Sequence, residues 1–224
     1  MTVSSAPAFE PLSRQSTAEL IAERLREAII GGRLTPGQQL GEASLAAQFQ
    51  VSRGPLREAM QRLVAEGLLR SERHRGIFVV ELTDDDVRDV YRARKAIERA
   101  AVAEVLRADA GGAWARLAEP VEAMAAAARQ HDGVGVADAD QQFHEVLVSC
   151  AASPRLHRAM RTLLGETRML LGELEAAYPD LGEQVAEHLA LRDAIGAGNE
   201  AEAVRLIDEH MDDAVHRLLA LRSR

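Results

Sequence analysis

The chain has 224 residues, of which 47% are hydrophobic and only 3% aromatic, and its formal charge is −8. That length suits one or two domains, and a core so poor in aromatics must be built from Ala, Leu and Val, a mixture that favours helices. By itself the acidic average argues against a nucleic-acid partner, and no apolar run approaches the roughly 18 residues a membrane span needs. The single cysteine, Cys150, excludes an internal disulfide, which fits a cytoplasmic protein.

The average conceals an asymmetry. Residues 1–80 carry ten Arg against eight Asp and Glu, whereas residues 81–224 carry 17 basic against 27 acidic side chains. A mildly basic front and an acidic rear predict two modules with different partners. The opening "MTVSSAPAFEPLS" lacks the basic start and apolar centre of a signal peptide, so residues 1–16 read as a mobile tail. Leu20, Ile21, Leu25, Ala28 and Ile29 recur at helical spacing and predict a first helix over Thr17–Ile30, capped by Ser16 or Thr17. The glycines of "GGRLTPG" end it, and a short helix follows over Glu42–Phe49, tightly linked by Gln50 and Val51 to the stretch "VSRGPLREAMQRL".

That stretch places a proline near the start of a helical pattern formed by Leu56, Ala59, Met60 and Leu63. The first turn of a helix has N–H groups without intrahelical partners, so Pro55 forfeits nothing there. With Ser52 as N-cap, the helix begins at Arg53 and stops at Gly67. "LLRSE" and "GIFVVEL", separated by "RHR" and Gly76, predict a two-stranded hairpin with a basic tip. Three helices and a hairpin over residues 17–80 make a winged helix-turn-helix.

The remainder reads as helical, with helices near 83–108, 112–130, 136–150, 155–177, 180–197 and 200–221. Breaks are expected at "GG" (111–112), "DGVG" (132–135), "SP" (153–154), "YPD" (178–180) and "GAGN" (196–199). Short connections predict an all-α antiparallel bundle over residues 83–221. Asp84–Asp86 suit the dipole at its start. The fold class is therefore mainly α, with a winged helix-turn-helix ahead of a helical bundle.

In a helix-turn-helix the N-terminal end of the second helix enters the major groove. Arg53 and Arg57 share a face there, and arginine can bridge guanine O6 and N7 or clamp phosphate. Gly54 lets the backbone approach DNA closely, and Ser52 with the helix N-terminus can hold a phosphate oxygen. Arg73, His74 and Arg75 at the hairpin tip can reach an adjacent groove, with Gly76 supplying the turn. A solvated helix face is the plain alternative, since Glu58 and Glu66 dilute the charge. One recognition helix reads only a few base pairs, so a homodimer on an inverted repeat of double-stranded DNA is expected.

In the rear half, "DADQQFHEVL" puts Asp140 and His144 four apart on one helical face, flanked by Val136 and Leu147, so both point inward. His188 in "VAEHLALRDAI" and His210 in "LIDEHMDDAV" also sit among apolar residues at helical spacing. One Asp and three His from three helices can meet at a bundle centre and suit a divalent transition metal, with imidazole favouring Zn, Ni or Fe and the carboxylate admitting Mn. The plain alternative for each is a hydrogen-bonded core residue. Arg94 shares a face with Val87, Val90, Tyr91, Glu98 and Ala101. An inward arginine needs an anion, either Glu98 one turn on or the carboxylate of a ligand.

"LREAIIGGRLTPGQQLGEASLAAQFQVSRGPLREAMQRLVAEGLL…RGIFV" resembles the N-terminal domain of GntR-family transcription regulators. The resemblance implies base and phosphate contacts from Ser52, Arg53, Gly54, Pro55 and Arg57, and wing contacts from Arg75 and Gly76. Residues 83–221 resemble the FCD ligand-binding domain of the FadR-type branch, to which "RKAIE" (94–98) is also similar. There the metal ligands are a D-x-x-x-H pair and two later histidines, matched by Asp140, His144, His188 and His210. The resemblance implies small carboxylic acid effectors that complete the coordination, with Arg94 as an effector contact. Ser153 stands where relatives often carry Asn. The leading reading is a metal-dependent, effector-responsive transcription regulator rather than an enzyme. The alternatives are a metal-dependent enzyme acting on a small carboxylic acid and a regulator whose helical half works without metal.

Overall fold

The computed structural model describes residues 16–170 and 180–223. The expected tail apart from Ser16, the end of the expected 155–177 helix and most of the "YPD" break lie outside the described residues. Helix α1 (Thr17–Ile30) opens on a capping box. The Ser16 hydroxyl accepts from the Glu19 N–H at 3.1 Å, and the Glu19 carboxylate takes the Ser16 N–H at 2.8 Å. Ala18, Ile21, Ala22, Leu25 and Ile29 form its buried face. Leu20, expected there, is 49% exposed, because Ala18 and Ala22 fill the stripe instead.

Strand β1 (Gln39–Leu40), α2 (Glu42–Phe49), α3 (Arg53–Ala65), β2 (Leu69–Glu72) and β3 (Gly76–Val79) follow. The sheet has three strands in the order β1-β3-β2, all antiparallel, with Leu40 and Ser71 both opposite Ile77. The expected hairpin is β2–β3. The additional β1 is two residues long, too short to show a period, and is held by its ladder and by the Gly37 N–H on Val79 O and the Val79 N–H on Gln38 O. The tight link between α2 and α3 places Gln50 in the left-handed region, φ 54°, and returns the Val51 N–H to Ala46 O at 3.0 Å. Leu25, Leu56, Met60, Leu63, Leu69 and Val79 centre an apolar core.

Helices α4 (Asp84–Ala108), α5 (Ala110–Arg129), α6 (Gly133–Cys150), α7 (Pro154–Arg168), α8 (Leu181–Gly196) and α9 (Glu200–Arg222) form the bundle. Two expected breaks are instead helix starts. Asp109 caps α5 by accepting from the Gly112 N–H at 2.8 Å, so Gly111 and Gly112 lie in its first turn. Asp132 likewise caps α6 through the Gly135 N–H at 3.0 Å, and α6 starts three residues earlier than its apolar pattern. Ser153 caps α7 through the Leu156 N–H at 3.4 Å, ahead of Pro154 at the first helical position. Helix α5 packs on α6 and α8, α9 on α4 and α8, and α7 on α4 and α6. The core runs from Val87 and Tyr91 through Leu117, Phe143 and Leu191 to Met211 and Leu218. No helix among the described residues is long and apolar enough to cross a membrane.

Candidate functional site

At the start of α3, Ser52 takes the N-cap position with extended backbone, φ −72° and ψ 163°. Its hydroxyl makes no capping hydrogen bond, unlike the cap expected from sequence, so the first-turn N–H groups stay open to an outside acceptor. Arg53, Gly54 and Arg57 are exposed and Pro55 is half-buried. A Cβ built at Gly54 would meet nothing within 4 Å, so packing inside the protein does not require glycine there. Arg57 Nε donates to Glu42 Oε2 at 2.8 Å, which ties α3 to α2, while Arg53 makes no ion pair among the described residues. On the wing, Arg75 pairs with Glu72, and Arg70 and Arg75 both lie over the Phe78 ring. The turn needs two left-handed residues, His74 at φ 64° and Gly76 at φ 108°. Gln39 Nε2 donates to Arg75 O at 2.6 Å, tying β1 to the tip.

The second site lies inside the bundle. Asp140 and His144 on α6, His188 on α8 and His210 on α9 are all buried, and one donor atom from each falls within 4.8 Å of the others. Asp140 Oδ1 stands 3.1 Å from His188 Nε2, 3.7 Å from His144 Nε2 and 3.8 Å from His210 Nε2. His144 Nε2 and His210 Nε2 are 3.2 Å apart. Donors bonded at about 2.1 Å to one ion stand about 3.0–3.4 Å apart at neighbouring vertices of an octahedron or tetrahedron. Two of these pairs, at 3.1 and 3.2 Å, already stand at such separations, and the others, all within 4.8 Å, would draw closer around an ion.

The outward nitrogens explain the inward aim. His144 Nδ1 faces Glu98 Oε2 at 2.6 Å, His188 Nδ1 faces the Gln184 backbone oxygen at 2.7 Å, and His210 Nδ1 faces Glu187 Oε2 at 2.9 Å. Each acceptor fixes the proton on Nδ1 and leaves the Nε2 lone pair for the centre. His188 Nε2 is buried without a hydrogen bond. Its 3.1 Å approach to Asp140 lacks hydrogen-bond geometry, as suits two donors that share a third party rather than a proton.

The electrostatics favour positive charge at this point. Burial opposes ionisation of Asp140, but the imidazoles of His144 and His188 outweigh it and hold the carboxyl well below its ordinary range. Burial likewise opposes ionisation of Glu98, and His144 and Arg94 overcome it. Burial, reinforced by His188 and His144, lowers the pKa of His210 despite Glu187. At His144 burial is outweighed by Glu98, and the pKa rises.

Arg94 is buried, with Nε and Nη2 on Glu98 Oε1 at 3.3 and 3.2 Å. Of its two expected anions the structure supplies Glu98, which in turn supports His144. Sequence reasoning placed Glu98 beside Arg94 but missed its bond to His144, and it missed Gln184 and Glu187 altogether. Those acceptors lie one turn before and immediately before His188. Neither leaves a signal in one segment, because the Gln184 contact is made by a backbone oxygen and Glu187 serves His210 on the next helix.

Residues 17–79 match the bacterial regulatory proteins of the gntR family, and residues 89–213 match the FCD domain. An HTH-type transcriptional regulator from the TAR-I ttuE-ttuC' intergenic region of Agrobacterium vitis is 39% identical over 131 residues, covering 57% of this chain and 77% of the relative. The gluconate operon transcriptional repressor of Bacillus subtilis (strain 168) is 27% identical over 207 residues, covering 90% and 85%. A solved structure of a GntR transcriptional regulator from Rhodococcus sp. RHA1 is 31% identical, covers 92% of this chain and 99% of that one, and superposes with a TM-score of 0.75. These relatives are transcription regulators, not enzymes, which disfavours the metalloenzyme alternative. A winged helix-turn-helix joined to a helical FCD domain, over nearly the whole chain, places this protein in the GntR family of bacterial transcription regulators.

Proposed function

We propose that this regulator acts in the cytoplasm as a homodimer on an inverted-repeat operator. We further propose that a small carboxylic acid, held at a divalent metal between α6, α8 and α9, sets its operator affinity. The observation that carries the metal-dependent part is the convergence of Asp140 Oδ1 with three Nε2 atoms whose Nδ1 partners are already assigned. Asp140, His144, His188 and His210 would hold the ion, and Zn, Ni, Mn or Fe suits this N/O donor set. A bound ion supplies a Lewis-acidic centre with positions left for carboxylate oxygens. Glu98, Glu187 and the Gln184 carbonyl orient the imidazoles, and Arg94 offers its guanidinium to an acid while Glu98 holds it in place. The Bacillus subtilis relative is named for a gluconate operon, and gluconate is a hydroxy acid of the class proposed here.

On DNA, Arg53 and Arg57 would reach base edges or phosphate from the start of α3. Ser52, Gly54 and Pro55 would bring the helix N-terminus against the backbone, and Arg75 and Gly76 would present the wing. Arg57 would exchange Glu42 for the nucleic acid. Titrating gluconate and related small carboxylic acids into operator complexes of wild type, His210→Ala and Arg94→Ala tests the reading. Wild type should change operator affinity by about 5–150-fold. His210→Ala should bind operator and ignore the acid, and Arg94→Ala should keep metal with weakened acid response. A normal acid response in His210→Ala contradicts the site.

A further inference from the structure

The reading head and the bundle meet where α3 ends. Glu66 is the C-cap of α3, and its carboxylate is gripped by Arg26 of α1, Nε at 3.0 Å and Nη2 at 2.8 and 2.9 Å. On the other side of Glu66 stands Gly165 of α7. A Cβ added at Gly165 would lie 1.8 Å from Glu66 O, so the two backbones touch. The fit is reciprocal. Gly67, at φ 76°, faces α7, and a Cβ there would lie 2.9 Å from Glu166 Cγ and 3.2 Å from Thr162 O. Two glycines, one on each domain, thus allow main chain to press on main chain.

Helix α7 is fastened in turn to α6 on both sides of Asp140. Gln141 is buried; its Nε2 donates to Leu164 O at 2.8 Å and its Oε1 accepts from Arg168 Nη1 at 3.3 Å. Arg168 Nη2 donates to Asp138 Oδ1 at 2.7 Å. Leu164, whose carbonyl Gln141 holds, directly precedes Gly165. Asp140 is therefore connected to the end of the recognition helix by one side-chain hydrogen bond and one backbone contact. The cleft beside this joint is lined by Arg26, Glu66, Gln141 and Arg168, among others.

We infer that Gln141 and Gly165 form a transmission joint through which the position of α6 at Asp140 sets the position of α3. Gln141 is a positioning residue, and Gly165 is small because the joint needs backbone contact. A displacement of α6 drags Leu164 O through the Gln141 amide, and Gly165 passes it to Glu66, which moves α3 and, through Arg26, α1. The regulatory consequence rests on the metal-dependent reading above, but the mechanical link does not.

Two measurements on full-length protein separate the two. Without metal, hydrogen exchange compares wild type with Gln141→Ala, a change that removes the Gln141 tie while Leu164 O keeps the Thr167 hydroxyl and Arg168 keeps Asp138. Amides at the end of α3, from Val64 to Leu68, should exchange about tenfold faster in the variant, and equal protection overturns the joint. With Zn²⁺ alone as the probe, operator affinity is measured in wild type, Gln141→Ala and Gly165→Ala, alongside Zn²⁺ affinity by calorimetry. Both variants should bind Zn²⁺ within about threefold of wild type and lose most of its Zn²⁺-dependent change in operator affinity. Variants that bind Zn²⁺ and keep that change overturn the joint. A wild type whose operator affinity ignores Zn²⁺ overturns the metal-dependent reading instead, and the exchange result then decides the joint.

Discussion

In the reading head the buried side chains, from Ile21 to Val79, are apolar, and Arg53, Arg57 and Arg75 stand outside them. In the helical domain the arrangement is inverted: Arg94, Glu98, Asp140, His144, His188 and His210 are buried beside Tyr91, Phe143 and Met211. The head can lose one of these exposed arginines and keep its core, because exposed charges contribute little to stability. The bundle cannot lose one so easily. Each buried charge was taken out of water and is held there by its partner, so the atoms proposed to bind metal also help to hold the fold. The head should therefore vary in what it binds without changing stability, while the bundle should tie stability to the integrity of its polar centre.

Glu98→Ala is expected to have the largest effect. It strands the buried Arg94 guanidinium and removes the acceptor of His144 Nδ1, and losing one partner of such a buried pair costs about 3–5 kcal/mol. Urea unfolding measures this directly, and a loss under about 1 kcal/mol would mean that Arg94 finds another partner or water. Next come Arg53→Ala and Arg57→Ala, each expected to weaken operator binding by about 1–3 kcal/mol if it bridges a base. Their unfolding free energies should stay within roughly 0.5 kcal/mol of wild type. A large stability loss in either would erase the contrast between the two regions.

How much was legible in the sequence follows the same division. The limits of α3 announced themselves locally, through Pro55 in its first turn and Gly67 just past its end, although the Ser52 hydroxyl makes no capping bond. The inward histidines were legible as well, because Val136, Leu147, Val185 and Leu191 mark a face by helical period. The acceptors behind them were not. Glu187 serves His210 across two helices, and the Gln184 contact uses a backbone oxygen, so neither leaves a pattern in one segment. Strand β1 escaped because two residues cannot show a period of two, and its partners lie some 40 positions on. Gly111, Gly112 and Gly133 read as breaks but are first-turn residues, because Asp109 and Asp132 cap the helices ahead of them.

Thr83→Ala is expected to have a smaller effect. The Thr83 hydroxyl accepts from the Asp86 N–H at 3.2 Å, and Asp86 takes the Thr83 N–H at 2.9 Å. This capping box starts α4 just after the wing, and its loss should cost about 1 kcal/mol by thermal unfolding. The smallest effect is pH-dependent and lies at the junction of the two regions. Burial raises the pKa of Glu166, and the charges of Asp86 and Asp89 raise it further. A carboxyl raised on folding adds stability while protonated, below its unfolded pKa, and that contribution is lost as pH rises through the folded value. Glu166→Gln should therefore raise the melting temperature slightly at pH 7, and the gain should vanish towards pH 4. A gain that persists unchanged at pH 4 would point to a cause other than charge.

The central claim is that the buried centre of the bundle is a metal site, and metal content tests it most directly. Wild type, His188→Ala and the control His157→Ala, at a half-buried histidine of α7 paired with Glu145, are each purified from medium supplemented with Zn, Ni, Mn and Fe, and bound metal per chain is measured by elemental analysis. The account predicts about one ion per chain in wild type and His157→Ala, and almost none in His188→Ala, since the loss of one of four ligands leaves a buried, incomplete donor set. Equal metal content in wild type and His188→Ala, or none in wild type, would contradict it.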